Sequence, residues 1–263
     1  MSRYDGQVVV VTGGGRGIGA AYARMFAGEG ATVVVNDLDA RAAHEVAGAV
    51  GGLAVPGDAS TEAGVEQLIG AAGTLAGPVE VYCANAGVAR GGLADAPERA
   101  WETSWQVNVM AHVRAAKVLV PQWSSRGHGT FVATVSAAGL LSIPGAAPYA
   151  VTKHAAYAFA EWMSMTYGDA GVRVHAVCPQ GVRTQMLEDS GDAGKALMQE
   201  SAIEADDVAA ALLRAIDAGE FLVLPHPEVG PMYAARAADP DRWLTGMRRL
   251  SRSLPAVLMG SRS

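Results

Sequence analysis

The chain has 263 residues, of which 50% are hydrophobic, with 20 basic and 26 acidic side chains and a formal net charge of -6, a composition that fits one α/β domain with a sizeable core. No basic run is present that could follow a phosphate backbone, so we expect no nucleic-acid partner. No window approaches about 18 uninterrupted apolar residues and no cationic segment precedes an apolar one at the start, so we expect no membrane association and a cytoplasmic location.

Short β-branched runs alternate with longer alanine-rich segments along the chain. Runs such as 8–11 and 33–35 are continuously apolar, which is typical of parallel strands that are covered on both faces. The sequence therefore predicts an α/β fold with a seven-stranded parallel sheet flanked by helices and joined by right-handed crossovers. The predicted strands are residues 7–12, 31–36, 53–55, 79–83, 130–135, 172–178 and 221–224.

Helices are predicted between these strands, and Pro148 suits the start of the one that contains Tyr149. Residues 180–204 are too long for an ordinary connection, and we interpret them as an irregular lid over a substrate. Residues 226–263 form a C-terminal extension of the same domain. The predicted helices are residues 16–28, 40–50, 61–75, 96–120, 149–167, 205–218 and 228–250.

A glycine-rich loop separates the first strand from the first helix. Gly13, Gly17 and Gly19 leave room for a pyrophosphate to approach the backbone at the positive end of that helix. A plain tight turn is the alternative, but the strand-loop-helix context favours dinucleotide binding.

Acidic and amide side chains follow the next strands. Asp37 lies 20 residues after Gly17, where a carboxylate can accept hydrogen bonds from the adenosine ribose and repel a 2'-phosphate, so NAD is favoured over NADP. Asp39 is the better candidate for a helix cap, and Arg16 keeps NADP open. Asp58 could meet the adenine or form a turn. Asn85 is interpreted as mainly structural, and Ala86 and Gly87 as bordering the cofactor.

Tyr149 and Lys153 are four residues apart and can share one helical face, and Ser136 follows the fifth predicted strand. With these residues in place, the chain resembles the short-chain dehydrogenase/reductase family over residues 5–225, and the resemblance implies a single Rossmann-like, doubly wound domain. The matching pieces are Thr12-Gly13-x-x-x-Gly17-x-Gly19, Asp58, Asn85-Ala86-Gly87, Asn108, Ser136, Tyr149-x-x-x-Lys153 and residues 179–184.

The resemblance implies a role for each catalytic candidate. Tyr149 would exchange a proton with an alcohol or carbonyl, and Lys153 would stabilise its phenolate and hold the nicotinamide ribose. Ser136 would hydrogen-bond the substrate oxygen. Asn108 would bind a water in a proton relay, and a helix-distorting amide is the competing interpretation.

The predicted cofactor contacts extend from the glycine loop to the loop after the sixth strand. Gln180 departs from the glycine that is usual in the family, and it could contact the substrate or the carboxamide. The predicted cofactor contacts are Gly13, Gly15, Arg16, Gly17, Ile18, Gly19, Asp37, Asp58, Ala59, Asn85, Ala86, Gly87, Tyr149, Lys153, Pro179, Val182 and Thr184.

Candidate substrate contacts carry few polar groups, so an apolar ketone or secondary alcohol is the expected small-molecule partner. The alternative is that these residues only pack the lid. Homodimers or homotetramers are expected from the resemblance, through the helices that contain Asn108 and Tyr149. Cysteine and histidine spacing predicts no metal site. The substrate candidates are Ala138, Leu140, Gln180, Met186 and Leu187.

Three other functions remain open at this point. The chain could be an NADP(H)-dependent carbonyl reductase, or a cofactor-binding regulatory protein without turnover. A dehydratase or epimerase could use the same pair of side chains with transient hydride transfer.

Overall fold

A computed structural model describes residues 2–253, apart from the side chains of residues 192, 193 and 196. Seven strands form one sheet in the order β3-β2-β1-β4-β5-β6-β7, and every neighbouring pair is parallel. The predicted parallel sheet is therefore confirmed, although β3 and β7 have only two residues each. The strands are β1 Val8–Thr12, β2 Thr32–Asn36, β3 Leu53–Ala54, β4 Val79–Ala84, β5 Gly129–Thr134, β6 Val172–Val177 and β7 Leu222–Val223.

The unbroken valine run of β1 is explained by two hydrophobic cores, one on each face of the sheet. Val8 and Val10 pack into one core, and Val9 and Val11 pack into the other. All five residues of β1 are buried. Each buried valine contributes roughly 1.5–3 kcal/mol, so the central strand is fixed from both sides.

The described residues contain twelve α-helices, some of which pack against the two faces of the sheet. Tyr22 and Phe26 of α1 and Leu212 of α10 fill one core, and Leu68 of α3 and Trp123 of α5 fill the other. The helices are α1 Gly17–Gly28, α2 Ala40–Val50, α3 Glu62–Leu75, α4 Glu98–Trp105, α5 Ala111–Arg126, α6 Ala138–Leu141, α7 Ala147–Tyr167, α8 Gln185–Glu188, α9 Gly191–Met198, α10 Ala205–Ala218, α11 Val229–Ala238 and α12 Pro240–Ser253.

The prediction of one regular helix over 96–120 is wrong. The helical region begins at Glu98, passes through a π-helical turn at Gln106–Met110 and continues to Arg126. It ends at Gly127, whose φ of +78° is a left-handed cap. The π-turn contains Asn108, whose side chain makes hydrogen bonds outside its own helix. Those hydrogen bonds join Asn108 to distant parts of the chain, so the helical periodicity of the sequence could not indicate the π-helical turn.

Two further predictions about segments are corrected. The helix expected over 228–250 is divided at Asp239, because Pro240 disfavours helical backbone in the residue before it. Residues 180–204 are not irregular throughout, since they contain α8 and α9. Within the described part of the chain, none of the helices is both long and apolar enough to cross a membrane.

Candidate active site at the carboxyl edge of the sheet

The glycine loop after β1 is packed too closely for side chains. A Cβ on Gly19 would lie 2.1 Å from the Gly13 carbonyl oxygen, and one on Gly13 would lie 2.9 Å from Ala86 Cα. Gly13 and Gly17 also adopt left-handed backbone, with φ of +59° and +53°. No side chain caps the N-terminus of α1, so its first N-H groups remain available to an anion.

Thr12 joins this loop to the end of β4. Its hydroxyl donates to the Cys83 carbonyl at 3.1 Å and accepts from the backbone N-H groups of Asn85 and Ala86. Asn85 donates from Nδ2 to the carbonyls of Thr12 and Gly13, at 3.0 and 3.2 Å. This agrees with the interpretation of Asn85 as mainly structural. The connecting role of Thr12 was missed, because its partners lie 71 to 74 residues away.

Asp37 lies directly after β2 and faces the glycine loop. Its Oδ2 accepts from the Gly15 N-H at 3.0 Å, and its Oδ1 accepts from the Asp39 N-H at 3.0 Å. Asp39 caps α2 by accepting from the N-H groups of Arg41 and Ala42, as predicted. The buried Asp37 carboxylate is thus fixed beside Gly15, where it can serve as an acceptor for a ribose.

Asp58 forms a turn after β3, which was one of its two predicted roles. Its Oδ1 accepts from the Ser60 N-H at 2.9 Å. The neighbouring Thr61 caps α3 through a hydrogen bond from the Gly64 N-H. The predicted contacts of Asp58 with adenine and of Ala59 with the cofactor stay predictions.

Ser136, Tyr149 and Lys153 meet where β5 ends and α7 begins. Ser136 comes two residues after β5, and Tyr149 lies in the first turn of α7. Lys153 Nζ is 5.8 Å from the centroid of the Tyr149 ring and donates to the Thr134 carbonyl at 2.9 Å. The three predicted side chains are therefore brought together at the carboxyl edge of the sheet, where ligands bind in such folds.

Burial shifts the pKa values of Tyr149 and Lys153 in opposite directions. It raises the pKa of Tyr149, and a hydrogen bond with the Ser136 side chain offsets part of that rise. It lowers the pKa of Lys153 to about 8 from an ordinary value of 10.5. Desolvation disfavours both charged forms, so the pair is held with a protonated phenol beside an ammonium that loses its proton easily.

Asn108 is fully buried, and its side-chain amide is satisfied by the protein. Its Oδ1 accepts from the Val88 N-H at 2.9 Å, and its Nδ2 donates to the Val88 carbonyl and to Thr152 Oγ1, both at 3.0 Å. The Thr152 hydroxyl in turn lies within hydrogen-bonding distance of the carbonyls of Pro148 and Tyr149. Thr152, which sequence reasoning did not single out, thus connects Asn108 to the turn that carries Tyr149.

The loop after β6 contacts the glycine loop and the residues that follow β5. The Pro179 carbonyl accepts from the Ala137 N-H at 2.8 Å and lies 3.5 Å from Ser136 Oγ. A Cβ on Gly17 would lie 3.0 Å from Thr184 Cγ2. The predicted contacts at Pro179, Val182 and Thr184 therefore border the same edge as the glycine loop.

The candidate substrate residues differ in accessibility. Ala138, Leu140 and Leu187 are buried, and Met186 is exposed. Gln180 lies near α11, with Nε2 3.9 Å from Met232 Sδ. The side chain of Leu140 packs in the core beneath α6, so of these residues Gln180 and Met186 are the most available to a ligand.

The histidines and cysteines contribute no metal centre in the described part of the chain, where no three metal-binding side chains are grouped. Cys83 and Cys178 are buried free thiols, and burial raises the pKa of Cys178 to about 12. Burial and the nearby Lys153 lower the pKa of His112 to about 3, so its ring is neutral. His226, which was not predicted as a site residue, accepts from the Gln180 N-H.

Comparison with known proteins agrees with this geometry. The family model described as short chain dehydrogenase matches residues 7–194. Oxidoreductase UcpA of Salmonella typhimurium strain LT2 is 29% identical over 258 residues, covering 95% of this chain and 94% of the relative. Meso-2,3-butanediol dehydrogenase of Serratia marcescens is 34% identical, covering 70% and 74%.

A solved structure is similar over nearly the whole fold. The short-chain dehydrogenase/reductase from Burkholderia phymatum, crystallised in complex with NAD, has a TM-score of 0.84 and 28% identity. The match covers 92% of this chain and 96% of that one.

Proposed function

The chain belongs to the short-chain dehydrogenase/reductase family and is an oxidoreductase, and from this we propose that it transfers hydride between NAD(H) and a secondary alcohol or ketone of apolar character. The observation that carries the proposal is the grouping of Ser136, Tyr149 and Lys153 at one sheet edge. The glycine loop lies at the same edge and is joined by Thr12 to β4.

The residues present fit a dinucleotide. The glycine loop has no room for side chains, and the N-terminus of α1 carries no side-chain cap. Its N-H groups would hold the pyrophosphate, Asp37 would accept from the adenosine ribose, and Lys153 would hold the nicotinamide ribose. When bound, the nicotinamide supplies the acceptor or donor of the hydride.

The remaining chemistry is proton transfer by the protein. In oxidation the alcohol loses a hydride from carbon and a proton from oxygen, and the Tyr149 phenolate takes that proton. In reduction the Tyr149 phenol returns a proton to the carbonyl oxygen. A nearby positive charge favours the phenolate, and the Lys153 ammonium, 5.8 Å from the centroid of the Tyr149 ring, would supply that charge. The Ser136 hydroxyl would hydrogen-bond the substrate oxygen.

The assignment of NAD rests on Asp37. Its carboxylate is fixed beside Gly15 by two backbone N-H groups, and a negative charge there repels a 2'-phosphate. The Burkholderia relative was crystallised with NAD, which supports the same choice. NADP is the second candidate, because Arg16 lies at the start of α1 and a guanidinium can bind a phosphate.

An alcohol substrate of apolar character is supported by the side chains around the site. Met186 is apolar and exposed, Ala138 and Leu187 are apolar and buried, and Gln180 is the polar exception. The Serratia relative carries the name of a diol dehydrogenase. Small secondary alcohols and small vicinal diols therefore belong in the first substrate panel.

Self-association is a further part of the proposal. Trp105 at the end of α4 and Val151, Trp162 and Met165 on α7 expose apolar side chains. Exposed apolar surface of this kind marks interfaces, so we propose a homodimer or homotetramer formed through these helices. Sedimentation of the full chain tests it, and a monomer at micromolar concentration would contradict it.

The experiment that tests the proposed function is a panel of alcohols and carbonyls with NAD and NADP in parallel, followed by nicotinamide absorbance. We expect stoichiometric NADH formation with an apolar secondary alcohol. Preference for a charged substrate would contradict the apolar assignment, and preference for NADP would contradict the role of Asp37. Product without net NADH would indicate the dehydratase or epimerase reaction.

A further inference from the structure

One imidazole in the C-terminal part of the chain joins three separate segments. His226 is 2% exposed and lies between β7 and α11. Its Nδ1 accepts from the Gln180 backbone N-H at 3.1 Å, and its Nε2 is 3.2 Å from the Ser201 carbonyl. An N-H can only donate and a carbonyl can only accept, so the ring is neutral and carries its proton on Nε2.

The backbone around His226 is restricted on both sides. Pro225 and Pro227 flank it in the sequence. A proline has a fixed φ, and the residue before a proline is confined to extended backbone. His226 therefore loses little conformational freedom when it forms its two hydrogen bonds.

The two partners of His226 lie at opposite ends of the segment 180–204. Gln180 begins the loop that borders Ser136 and the glycine loop. Ser201 lies just before Ile203, whose backbone pairs with that of Gly181 and Arg183. The ring of His226 thus contacts the segment 180–204 near both of its ends, at Gln180 and at Ser201.

We propose that His226 is a positioning residue for this segment. Its bond to Gln180 sets the place of the loop 179–184 and thereby the affinity for the dinucleotide, and its bond to Ser201 holds the far end of the segment. The inference rests on the proposed function, because it assigns cofactor contacts to residues 179–184. It gives the C-terminal extension a role at the site although no atom of His226 need touch a ligand.

Two conservative substitutions separate the two bonds. The amide of asparagine reaches the place of Nδ1, so H226N keeps an acceptor for Gln180 and loses the donor to Ser201. The amide nitrogen of glutamine reaches the place of Nε2, so H226Q keeps the donor and loses the acceptor. The partly buried Gln180 N-H is then left without its protein partner, which costs about tenfold in the equilibrium that holds the loop 179–184 in place.

The test measures the NADH dissociation constant by fluorescence, the KM and kcat of turnover, and amide exchange in the protein without cofactor. In H226Q we expect the dissociation constant and KM for NADH to rise about tenfold, with a smaller change in kcat and faster exchange at Gln180. In H226N we expect NADH affinity within about threefold of the unmodified chain, with faster exchange near Ser201. Unchanged affinity in H226Q, or equal losses in both variants, would overturn the proposal.

His175 offers a matched control. It is also 2% exposed, and its Nδ1 lies 2.6 Å from the Glu220 carbonyl, away from residues 179–184. H175Q removes the group at Nδ1 and should lower thermal stability without changing NADH affinity. The exchange measurements need no cofactor, so they test His226 even if the unmodified chain neither binds NADH nor oxidises an alcohol, which would refute the proposed function instead.

Discussion

Asn108 and Thr152 are joined by a hydrogen bond of 3.0 Å between Nδ2 and Oγ1, which ties the π-helical turn to the first turns of α7. Thr152 is fully buried, and its hydroxyl also approaches the Tyr149 carbonyl. The turn of α7 that carries Tyr149, the proposed acid and base, is therefore held by a contact with another helical segment.

Thr152→Val removes this contact with little change in volume. It leaves Asn108 Nδ2 with the Val88 carbonyl as its remaining partner, and we expect the free energy of unfolding to fall by about 1–2 kcal/mol. The turnover number should fall as well, because Tyr149 is less well fixed. Thr152→Ser keeps the hydroxyl and is the control. Denaturant unfolding and steady-state kinetics check both, and equal losses in the two variants would refute the importance of the hydrogen bond.

Tyr149→Phe removes the proposed acid and base. Loss of a positioned proton donor costs about 10² to 10⁴ in rate, so we expect kcat to fall by about a thousandfold while NADH affinity stays within about threefold. Tyr157→Phe is a matched control on the same helix, since Tyr157 packs against Phe221 and Tyr233. Undiminished turnover in Tyr149→Phe would remove Tyr149 from the mechanism.

The contribution of the buried Lys153 to stability is predicted to increase with pH in a defined window. Its pKa is lowered by burial to about 8 in the folded chain, against an ordinary value of 10.5. Between these values the lysine binds more protons in the unfolded chain, so its contribution to the free energy of unfolding rises with pH, by up to about 3 kcal/mol. Burial raises the pKa of the Cys178 thiol, so the contribution of that group falls with pH over the same interval.

Denaturant unfolding of the wild-type chain and of Lys153→Met at about pH 7.5 and pH 9.5 isolates this effect. The buried thiols are common to both chains, so the change in the free energy of unfolding from the lower to the higher pH should be more positive for the wild-type chain than for the variant. Measurements should stop below pH 10. Burial raises the pKa of Tyr4 to about 12, so at higher pH this tyrosine ionises more readily in the unfolded chain and the free energy of unfolding falls. Parallel curves for the two chains would show that Lys153 is not desolvated.

Asp37→Ser tests the cofactor preference. The serine hydroxyl can still accept a backbone N-H, but the negative charge that repels a 2'-phosphate is lost. We expect the ratio of kcat/KM for NAD to that for NADP to fall by at least about tenfold. Asp39→Ala is the control, because it removes the cap of α2. It should cost about 1 kcal/mol of stability without changing the cofactor ratio.

Much of the fold follows from local patterns in the sequence. The valine runs of β1 and β2 predict buried parallel strands, and Pro148 lies in the first turn of the predicted helix. The Tyr149 and Lys153 spacing also predicts a shared site. The π-turn at Gln106–Met110 could not be predicted, because it depends on contacts of Asn108 with residues 20 and 44 positions away.

The anchor at His226 was beyond sequence reasoning for a related reason. Its partner Gln180 is 46 residues away, and a histidine between two prolines has no local pattern that indicates a partner. The break at Asp239 had a local signal in Pro240, which the helical periodicity of the surrounding residues obscured. Long-range hydrogen bonds and interruptions within periodic segments were therefore the features that the sequence concealed.

The junction of Thr12 with Asn85 also bears on how the protein is made. Thr12 must wait for a partner that is synthesised 73 residues later, and β5, which pairs with β4, is translated later still. A nascent chain on the ribosome therefore exposes an unfinished sheet edge until β6 has emerged, and a chaperone has its main opportunity to act during that interval.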